Sequence, residues 1–279
     1  MSKTLLRGLD LIETVGLHGP MTISEIARAT GTEMSAVSRT VTACEPGGWL
    51  VRAAGKVNVG PRCALLGLTS PASAAIRRAE PLVNAIAGAI RVSTSASALV
   101  GHETMVLSSS SGAGSDPAIA DGVPSRTPVH LMADGRAIAA QLSPETLTKV
   151  LPPEPYPVGP QSDANLQVGS AIAHFLDAAG PGGLTATTSI TTRAQLNLAV
   201  EAVVAEGFSR DSGQIHPRVY CISRPWPAAG LPAAITCIGS RDEILQRQAA
   251  IEACLAAATE PGATAQDVVQ AAATASTVV

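Results

Sequence analysis

The first thirty residues contain two segments whose apolar positions recur at helical spacing. In residues 5–15 leucines and branched residues repeat in this way, and the pattern stops before Gly19-Pro20. Thr22 and Glu25 then stand in the spacing of a capping box, in which a hydroxyl and a carboxylate bind free backbone N–H groups. A second helix is therefore predicted from this box to about Thr30.

A third helical pattern follows a tight turn predicted at Gly31. Its apolar side is formed by Met34, Val37, Val41 and Cys44. Its other side carries small residues, several of them hydroxyl-bearing, around a single arginine: Ser35, Ala36, Ser38, Arg39 and Thr42. Short side chains allow a helix to enter the major groove closely, and an arginine binds guanine or phosphate there. The pattern is typical of a recognition helix.

Two short segments of strand character, 49–52 and 56–59, flank Ala53-Ala54-Gly55. They predict a hairpin, or wing, with Arg52 and Lys56 near its tip. Three helices followed by such a hairpin are typical of a winged helix-turn-helix domain. The candidate DNA-binding residues are Thr22, Ser35, Ala36, Ser38, Arg39, Thr42, Arg52 and Lys56. The same fold also serves protein contacts, so an interaction module stays open as an alternative.

Beyond residue 70 helical and strand patterns alternate, which predicts a mixed α/β domain and an α+β class for the whole chain. Helices are predicted at 72–90, 130–142, 143–151, 163–179, 193–206 and from 241 onward, and strands at 96–100, 104–107, near 208, 219–223 and 233–238. Segments 108–115 and 152–160 are predicted as loops. The predicted domains are a winged helix-turn-helix at 1–69, a linker helix at 70–91 and a larger domain at 92–279.

Composition narrows the class and the location of the protein. Of the 279 residues 46% are hydrophobic, but Trp, Tyr and Phe occur only twice each, so an aliphatic core is predicted. The N-terminal residues lack the apolar stretch of a signal peptide, and no apolar run approaches the roughly 18 residues of a membrane span. A cytoplasmic protein without a membrane partner is therefore expected. The five cysteines contain no C-x-x-C pair, which favours reduced thiols, no metal site and no cofactor.

Charge is distributed unevenly along a chain whose net charge is −3. Residues 1–62 hold seven Lys and Arg against five Asp and Glu, whereas the remainder holds twelve against seventeen. The mild excess of positive charge thus coincides with the predicted winged helix. Such a bias is expected of a domain that approaches phosphates.

Three segments of the predicted winged helix resemble the IclR (isocitrate lyase regulator) family of bacterial transcription regulators. They read TLLRGLDLI at 4–12, ISEIARATG at 23–31 and VSRTV at 37–41. The resemblance implies a GAF-like effector-binding domain, a homodimer or homotetramer, and a ligand-responsive regulator, usually a repressor, of a catabolic operon. Glu45-Pro46-Gly47-Gly48 departs from the family pattern. Because proline cannot donate the helical hydrogen bond, the third helix is predicted to end early there.

In the second half the segments PVH at 128–130, GRA at 135–137 and PRVYC at 217–221 carry the same resemblance. It implies an effector site with the candidate residues His130, Met132, Ala133, Asp134, Asp211, Cys221, Thr236 and Ile238, with Trp226 near the mouth. In members that bind small carboxylates the Asp134 position is commonly small and the Ile238 position commonly a hydroxyl. An added carboxylate repels an anion, so we expect a neutral or hydrogen-bond-donating effector, such as an aromatic amide, hydrazide or amine.

An enzymatic alternative uses Cys221 as the nucleophile of a thiol hydrolase, with His130 or His216 as base and Asp211 to orient it. A cysteine in an apolar strand is more often a small core residue, and the sequence carries no oxyanion-hole motif. A DNA-binding head would also be superfluous in such an enzyme. We therefore predict a regulator and no enzymatic activity.

Overall fold

The structure of the protein, a computed structural model, describes residues 3–68, 70–115, 126–156, 189–214, 217–226, 228 and 230–276. These residues form two compact units, with the boundary between Ser73 and Ala74. The helix predicted at 163–179, the end of the proline-rich segment 152–160 and His216 lie outside the described residues.

The first unit consists of helices and one hairpin. In chain order its elements are α1 (Lys3–His18), α2 (Ile23–Thr30), α3 (Met34–Cys44), β1 (Leu50–Ala53), β2 (Lys56–Val59) and α4 (Pro61–Leu68). The predicted capping box begins α2: the Glu25 amide donates to Thr22 Oγ1 at 3.3 Å, and the Thr22 amide donates to Glu25 Oε2 at 2.7 Å. Gly31 ends α2 with a φ of 60°, a left-handed conformation that glycine adopts without strain.

An aliphatic core holds α1, α2 and α3 against the hairpin. Its buried residues are Leu11, Val15, Ile26, Ala27, Val37, Val41, Leu50 and Val57. Met21, just before α2, exchanges two backbone hydrogen bonds of 2.7 and 3.0 Å with Val57, which anchors the hairpin to the helices. Ala54 and Gly55 form the turn of the hairpin, both with positive φ, as the twist of a two-residue loop requires.

The start of α3 lies outside the core of this unit. Helical spacing places Met34 on the apolar side of α3, but the residue is 56% exposed. Met34 is the first residue of α3, and the buried positions begin one turn later at Val37. At its other end α3 stops at Cys44, before Pro46, as predicted.

The second unit is built around one six-stranded sheet. The elements in chain order are α5 (Pro71–Ile90), whose first residues precede the boundary, β3 (Ser93–Val100), β4 (Glu103–Ser110), β5 (Arg126–Pro128), α6 (Ala133–Ala139), α7 (Pro144–Val150), α8 (Arg193–Glu206), β6 (Ser209–Ser212), β7 (Val219–Pro225), β8 (Ala233–Ser240), α9 (Arg241–Gln246), α10 (Gln248–Thr259) and α11 (Ala265–Ser276). The strand order is β5-β4-β3-β8-β7-β6, and each neighbouring pair is antiparallel.

Strand pairing and a turn correct three sequence predictions in this unit. β4 continues to Ser110 because it pairs with residues 94–96 of β3, so the loop predicted at 108–115 begins later. β5 was missed, since its three residues become a strand only by pairing with the start of β4. The helix predicted from His130 begins at Ala133, because the residues before it form a hydrogen-bonded turn.

The two faces of the sheet have opposite character. One face packs against α5, α10 and α11 in an aliphatic core that includes Leu82, Ile86, Ile235, Ile251 and Leu255. Trp226, which the sequence places near a pocket mouth, belongs to this core and is 1% exposed. The other face carries hydroxyl and charged side chains and packs against α6. This second face, not the aliphatic one, has the chemistry of a binding site.

The cysteines Cys44, Cys63, Cys221, Cys237 and Cys254 are free thiols. Within the described ranges, His, Cys, Asp and Glu form no group of three or more that could hold a metal ion. Among the helices that the structure describes, none combines the length and the hydropathy that a membrane span requires.

Candidate DNA-reading surface and effector site

The exposed side of α3, formed by Ser35, Arg39 and Thr42 and here called the reading face, carries a short polar network. Arg39 Nη1 donates to Ser35 Oγ at 3.4 Å, and Ser35 Oγ donates to Glu33 Oε1 at 2.8 Å. These side chains are exposed, so the Arg39 guanidinium is accessible beyond the helix surface. Ala36 and Ser38 are partly buried between the reading face and the core.

The wing brings a second arginine to the same helix. Arg52 on β1 donates from Nη2 to Thr42 Oγ1 at 3.2 Å, and its Nε lies 3.5 Å from Glu45 Oε1. Thr42 and Arg52, predicted separately from a helix and a hairpin, are therefore in contact. Lys56 stands opposite Ala53 on the other strand of the hairpin and is exposed.

Thr22 is engaged in the cap of α2. Its backbone N–H and its hydroxyl both hydrogen-bond Glu25, and these bonds hold the pKa of the Glu25 carboxyl below its ordinary value, with Lys56 and Arg28 acting in the same direction. The Thr22 side chain thus fixes the start of α2. A contact of Thr22 with DNA stays a prediction.

The polar face of the sheet consists of two rows of residues that stand opposite one another on adjacent strands. One row contains Asp211, Cys221, Ile238 and Ser93, and the next contains Ser209, Ser223, Thr236, Ser95 and Ser109. Successive side chains of a strand alternate between faces, so residues two apart share this face. Most of these side chains are buried, and Ser223 Oγ lies 2.8 Å from Thr236 Oγ1.

Gly135 is required for the geometry of α6. A Cβ at this position would lie 2.1 Å from the carbonyl oxygen of Val129, far inside contact distance. Glycine therefore lets the turn at 129–132 fold back onto the first turn of α6. Met132 and Ala133, at the start of the helix, are buried as a result.

Arg136 on α6 is bound by the protein through each of its guanidinium nitrogens. Nε donates to Ser209 Oγ at 3.4 Å, Nη1 to Leu131 O at 3.5 Å and Nη2 to Arg210 O at 2.9 Å. Nη2 also lies 3.9 Å from Asp211 Oδ2, and the two side chains are 3% and 0% exposed. In the described part of the chain Arg136 is the one buried Lys or Arg.

Asp134, one residue from the start of α6, is a buried carboxyl. Its Oδ1 accepts the N–H of Gly135 at 2.8 Å. Burial raises the pKa of Asp134, and the hydroxyls of Ser97 and Thr104, the Gly135 amide and the charge of Arg136 oppose that shift. Because burial is the largest cause, the neutral acid is favoured over a wider pH range than in water.

Comparison with known proteins identifies the fold of this chain. No protein-family model and no curated protein matches the sequence. The crystal structure of an IclR homolog complexed with 4-hydroxybenzoate, from Microbacterium hydrocarbonoxydans, is 22% identical, with a TM-score of 0.67, and the match covers 98% of this chain and 100% of that chain. The protein has the IclR fold. An IclR family transcriptional regulator from Brucella abortus (17% identity, TM-score 0.55, coverage 100% and 93%) and the IclR of Thermotoga maritima (14%, 0.53, 96% and 98%) match over the whole chain as well.

These matches confirm the predicted resemblance to IclR regulators and the α+β layout. Within the IclR fold, the polar face brings together four of the eight predicted effector residues, Asp211, Cys221, Thr236 and Ile238. Asp134, buried on α6, lies near these residues, since its charge adds to the burial that raises the pKa of Cys221. His130 is buried beside the start of α6, where its ring centroid lies 4.9 Å from that of Tyr156.

Cys221 is a poor candidate for a nucleophile. Burial raises the pKa of its thiol well above the ordinary value, and the carboxylates of Asp211 and Asp134 raise it further. A nucleophilic cysteine needs its thiolate, which such surroundings disfavour. Burial of the Cys221 thiol thus argues against its use as the nucleophile of a hydrolase. His216, the second candidate base, lies outside the described residues.

Sequence reasoning missed several residues of the candidate effector site: Ser95, Ser97, Thr104, Arg136, Ser209 and Ser223. One signal was present in the sequence, since serines recur at every second position at 93, 95 and 97. Alternation of that kind marks one face of a strand. Arg136 gave no such signal, because its side-chain partners Ser209 and Asp211 lie on the distant strand β6.

Proposed function

We propose that the protein is a DNA-binding transcription regulator controlled by a small organic effector. The observation that carries this proposal is the match of IclR regulators to the whole chain, which includes both compact units. The reading face with its adjacent wing supplies the chemistry for DNA. The buried hydroxyl-rich face of the second unit supplies the chemistry for a ligand. Such a function implies a cytoplasmic location.

The same proposal includes repression of a catabolic operon by a homodimer or homotetramer. In a dimer, two heads would bind the half-sites of an inverted repeat, and the effector would shift their spacing through the helix at 70–91. Exposed leucines on α1 and α4 support assembly: Leu5, Leu9, Leu65, Leu66 and Leu68. None of the residues of α4, all of which the structure describes, is buried. We keep 1–69, 70–91 and 92–279 as the functional domains.

The charges of the polar face favour a neutral or hydrogen-bond-donating effector. Arg136 is engaged by protein oxygens and by Asp211, so it is a poor partner for a ligand carboxylate. Asp134 adds a second buried carboxyl, which would repel an anion once ionised. The IclR homolog from Microbacterium hydrocarbonoxydans is complexed with 4-hydroxybenzoate. We propose an aromatic amide, hydrazide or amine for this chain.

A gel-shift assay on the DNA upstream of the protein's own coding sequence tests the function. The purified protein should shift this DNA at low salt, lose the shift steeply as salt rises, and release the DNA when the correct effector is added. Release by one member of a panel of aromatic acids, amides, hydrazides and amines would support the proposal. Absence of any shift at low salt would instead favour the interaction module.

The matched pair 4-hydroxybenzamide and 4-hydroxybenzoate tests the effector class by titration calorimetry. We expect the amide to bind more tightly at about pH 8, where Asp134 is most ionised. Because burial raises the pKa of Asp134, lowering the pH neutralises this carboxyl ahead of an ordinary one, and loss of its charge should improve binding of the acid. Asp134→Asn should therefore reduce the preference for the amide over the acid, whereas Glu145→Gln, at an exposed carboxyl on α7, should leave that preference unchanged. Tighter binding of the acid to the wild type at about pH 8 would overturn the expectation.

A further inference from the structure

The end of α3 and the first strand of the wing share a three-residue contact. The Arg52 guanidinium is held from two sides, by Thr42 Oγ1 at 3.2 Å and by Glu45 Oε1 at 3.5 Å. The side chains of Arg52 and Glu45 are 41% and 32% exposed, so the pair stays open to a ligand in solvent. Arginine has five N–H donors in a planar fork, and these two contacts leave donors free.

The backbone around this contact is tightly determined. The Gly60 amide donates to Trp49 O at 2.7 Å and closes the base of the hairpin. A Cβ at Gly60 would lie 2.1 Å from Gly48 O, so the chain after the wing packs directly on the turn that follows α3. The wing strand therefore keeps a fixed position beside the end of α3, and Arg52 with it.

A carboxylate at this place does not serve general affinity for DNA. Non-specific binding comes from attraction between cations and phosphates, and Glu45 both neutralises Arg52 and repels phosphate. Specificity is the difference between the affinities for the correct DNA sequence and for other sequences. A group that weakens binding to all sequences raises specificity when a contact with the correct sequence offsets that loss of affinity. Glu45 can do this if Arg52, held beside Thr42, meets an acceptor on a base.

We propose that Glu45 is a specificity-determining residue that positions Arg52, so that α3 and the wing contact DNA as one surface. The proposal rests on the DNA-binding function proposed above. Glu45 itself acts through Arg52 and not through a base. Its carboxylate lowers affinity for unrelated DNA and fixes the guanidinium for the correct site.

Glu45→Gln tests the proposal with two DNA probes of equal length, the fragment that the wild type shifts and a scrambled version of it. The specificity ratio is the dissociation constant for the scrambled probe divided by that for the native probe. We expect this ratio to fall about two- to five-fold, the range of an exposed ion pair. The scrambled probe should bind more tightly, and the native probe should gain less. Because Glu45 is partly exposed, the variant should keep the melting temperature of the wild type.

A double-mutant cycle with Arg52→Ala separates positioning from simple charge. If Glu45 acts through Arg52, Glu45→Gln should leave the specificity ratio unchanged in the Arg52→Ala background. Asp10→Asn, at an exposed carboxyl of α1, removes the same charge elsewhere in the unit and should shift both probes alike. An unchanged ratio in Glu45→Gln, or an equal effect with and without Arg52, overturns the proposal. A wild type that binds no DNA would instead contradict the proposed function.

Discussion

Replacing Arg136 with alanine is expected to lower the free energy of unfolding by about 3–5 kcal/mol, the cost of breaking a buried ion pair. Asp211 would keep the hydrogen bond from the Gln214 amide but would lose its buried cation. Ser209 and two backbone carbonyls would lose their donors in the same step. Urea unfolding of Arg136→Ala at neutral pH measures the effect, and Arg77→Ala, at an exposed position of α5, should change the free energy by less than about 0.5 kcal/mol.

The double variant Arg136→Met/Asp211→Leu distinguishes an uncompensated charge from lost packing. Apolar residues of similar size often replace a buried ion pair without loss of stability. We therefore expect the double variant to recover a large part of what Arg136→Ala loses. If the double variant is less stable than Arg136→Ala, the hydrogen bonds of Arg136, and not the balance of charge, dominate at this position.

The buried carboxyls of the candidate effector site, Asp134 and Asp211, bear both on the thiol hydrolase and on the effector class. Burial raises the pKa of the Cys221 thiol, and Asp211 and Asp134 add to that shift, which disfavours the thiolate that a hydrolase would need. The same two groups support the neutral effector proposed above, since Arg136 is already engaged by the protein.

The local features of the first unit could be predicted because their partners lie close in the sequence. Thr22 and Glu25 satisfy each other's backbone groups within a single helical turn, and Gly31 follows directly. The hairpin is similar, since its strands are separated only by Ala54 and Gly55. Met34 shows the limit of this reasoning, because periodicity assigns a residue to a side of the helix but does not say at which residue that side becomes buried.

The polar face could not be assembled from the sequence because its members come from distant strands. Arg136 and Ser209, which form one hydrogen bond, are separated by 73 residues. The alternating serines of β3 indicate one face of a strand, but only the pairing with β8 places Ser95 beside Thr236. Register between distant strands is set by the packing of the whole sheet, so no short segment carries it.

Replacing Arg39 with alanine is expected to weaken binding to the native DNA probe by about 1–3 kcal/mol, the cost of losing an arginine that contacts a base. Arg39 lies on the reading face, exposed, and its guanidinium is oriented by Ser35, which in turn bonds Glu33. A scrambled probe should lose much less, because it offers no matching base acceptor. Fluorescence anisotropy titrations with both probes measure the two changes, with Arg77→Ala as the control for removal of an exposed arginine.

Arg39→Lys then separates a contact with a base from a contact with phosphate. Lysine keeps the charge but lacks the planar fork that binds two acceptors of a guanine at once. If Arg39 contacts a base, lysine should restore binding to the scrambled probe and leave most of the loss on the native probe. A contact with phosphate gives a different result. In that case Arg39→Lys should recover full affinity for both probes, and Arg39→Ala should weaken binding to both probes equally and lower the salt dependence of binding by about one ion. Specificity would then reside in the rest of the reading face and in Arg52, which the wing holds against Thr42.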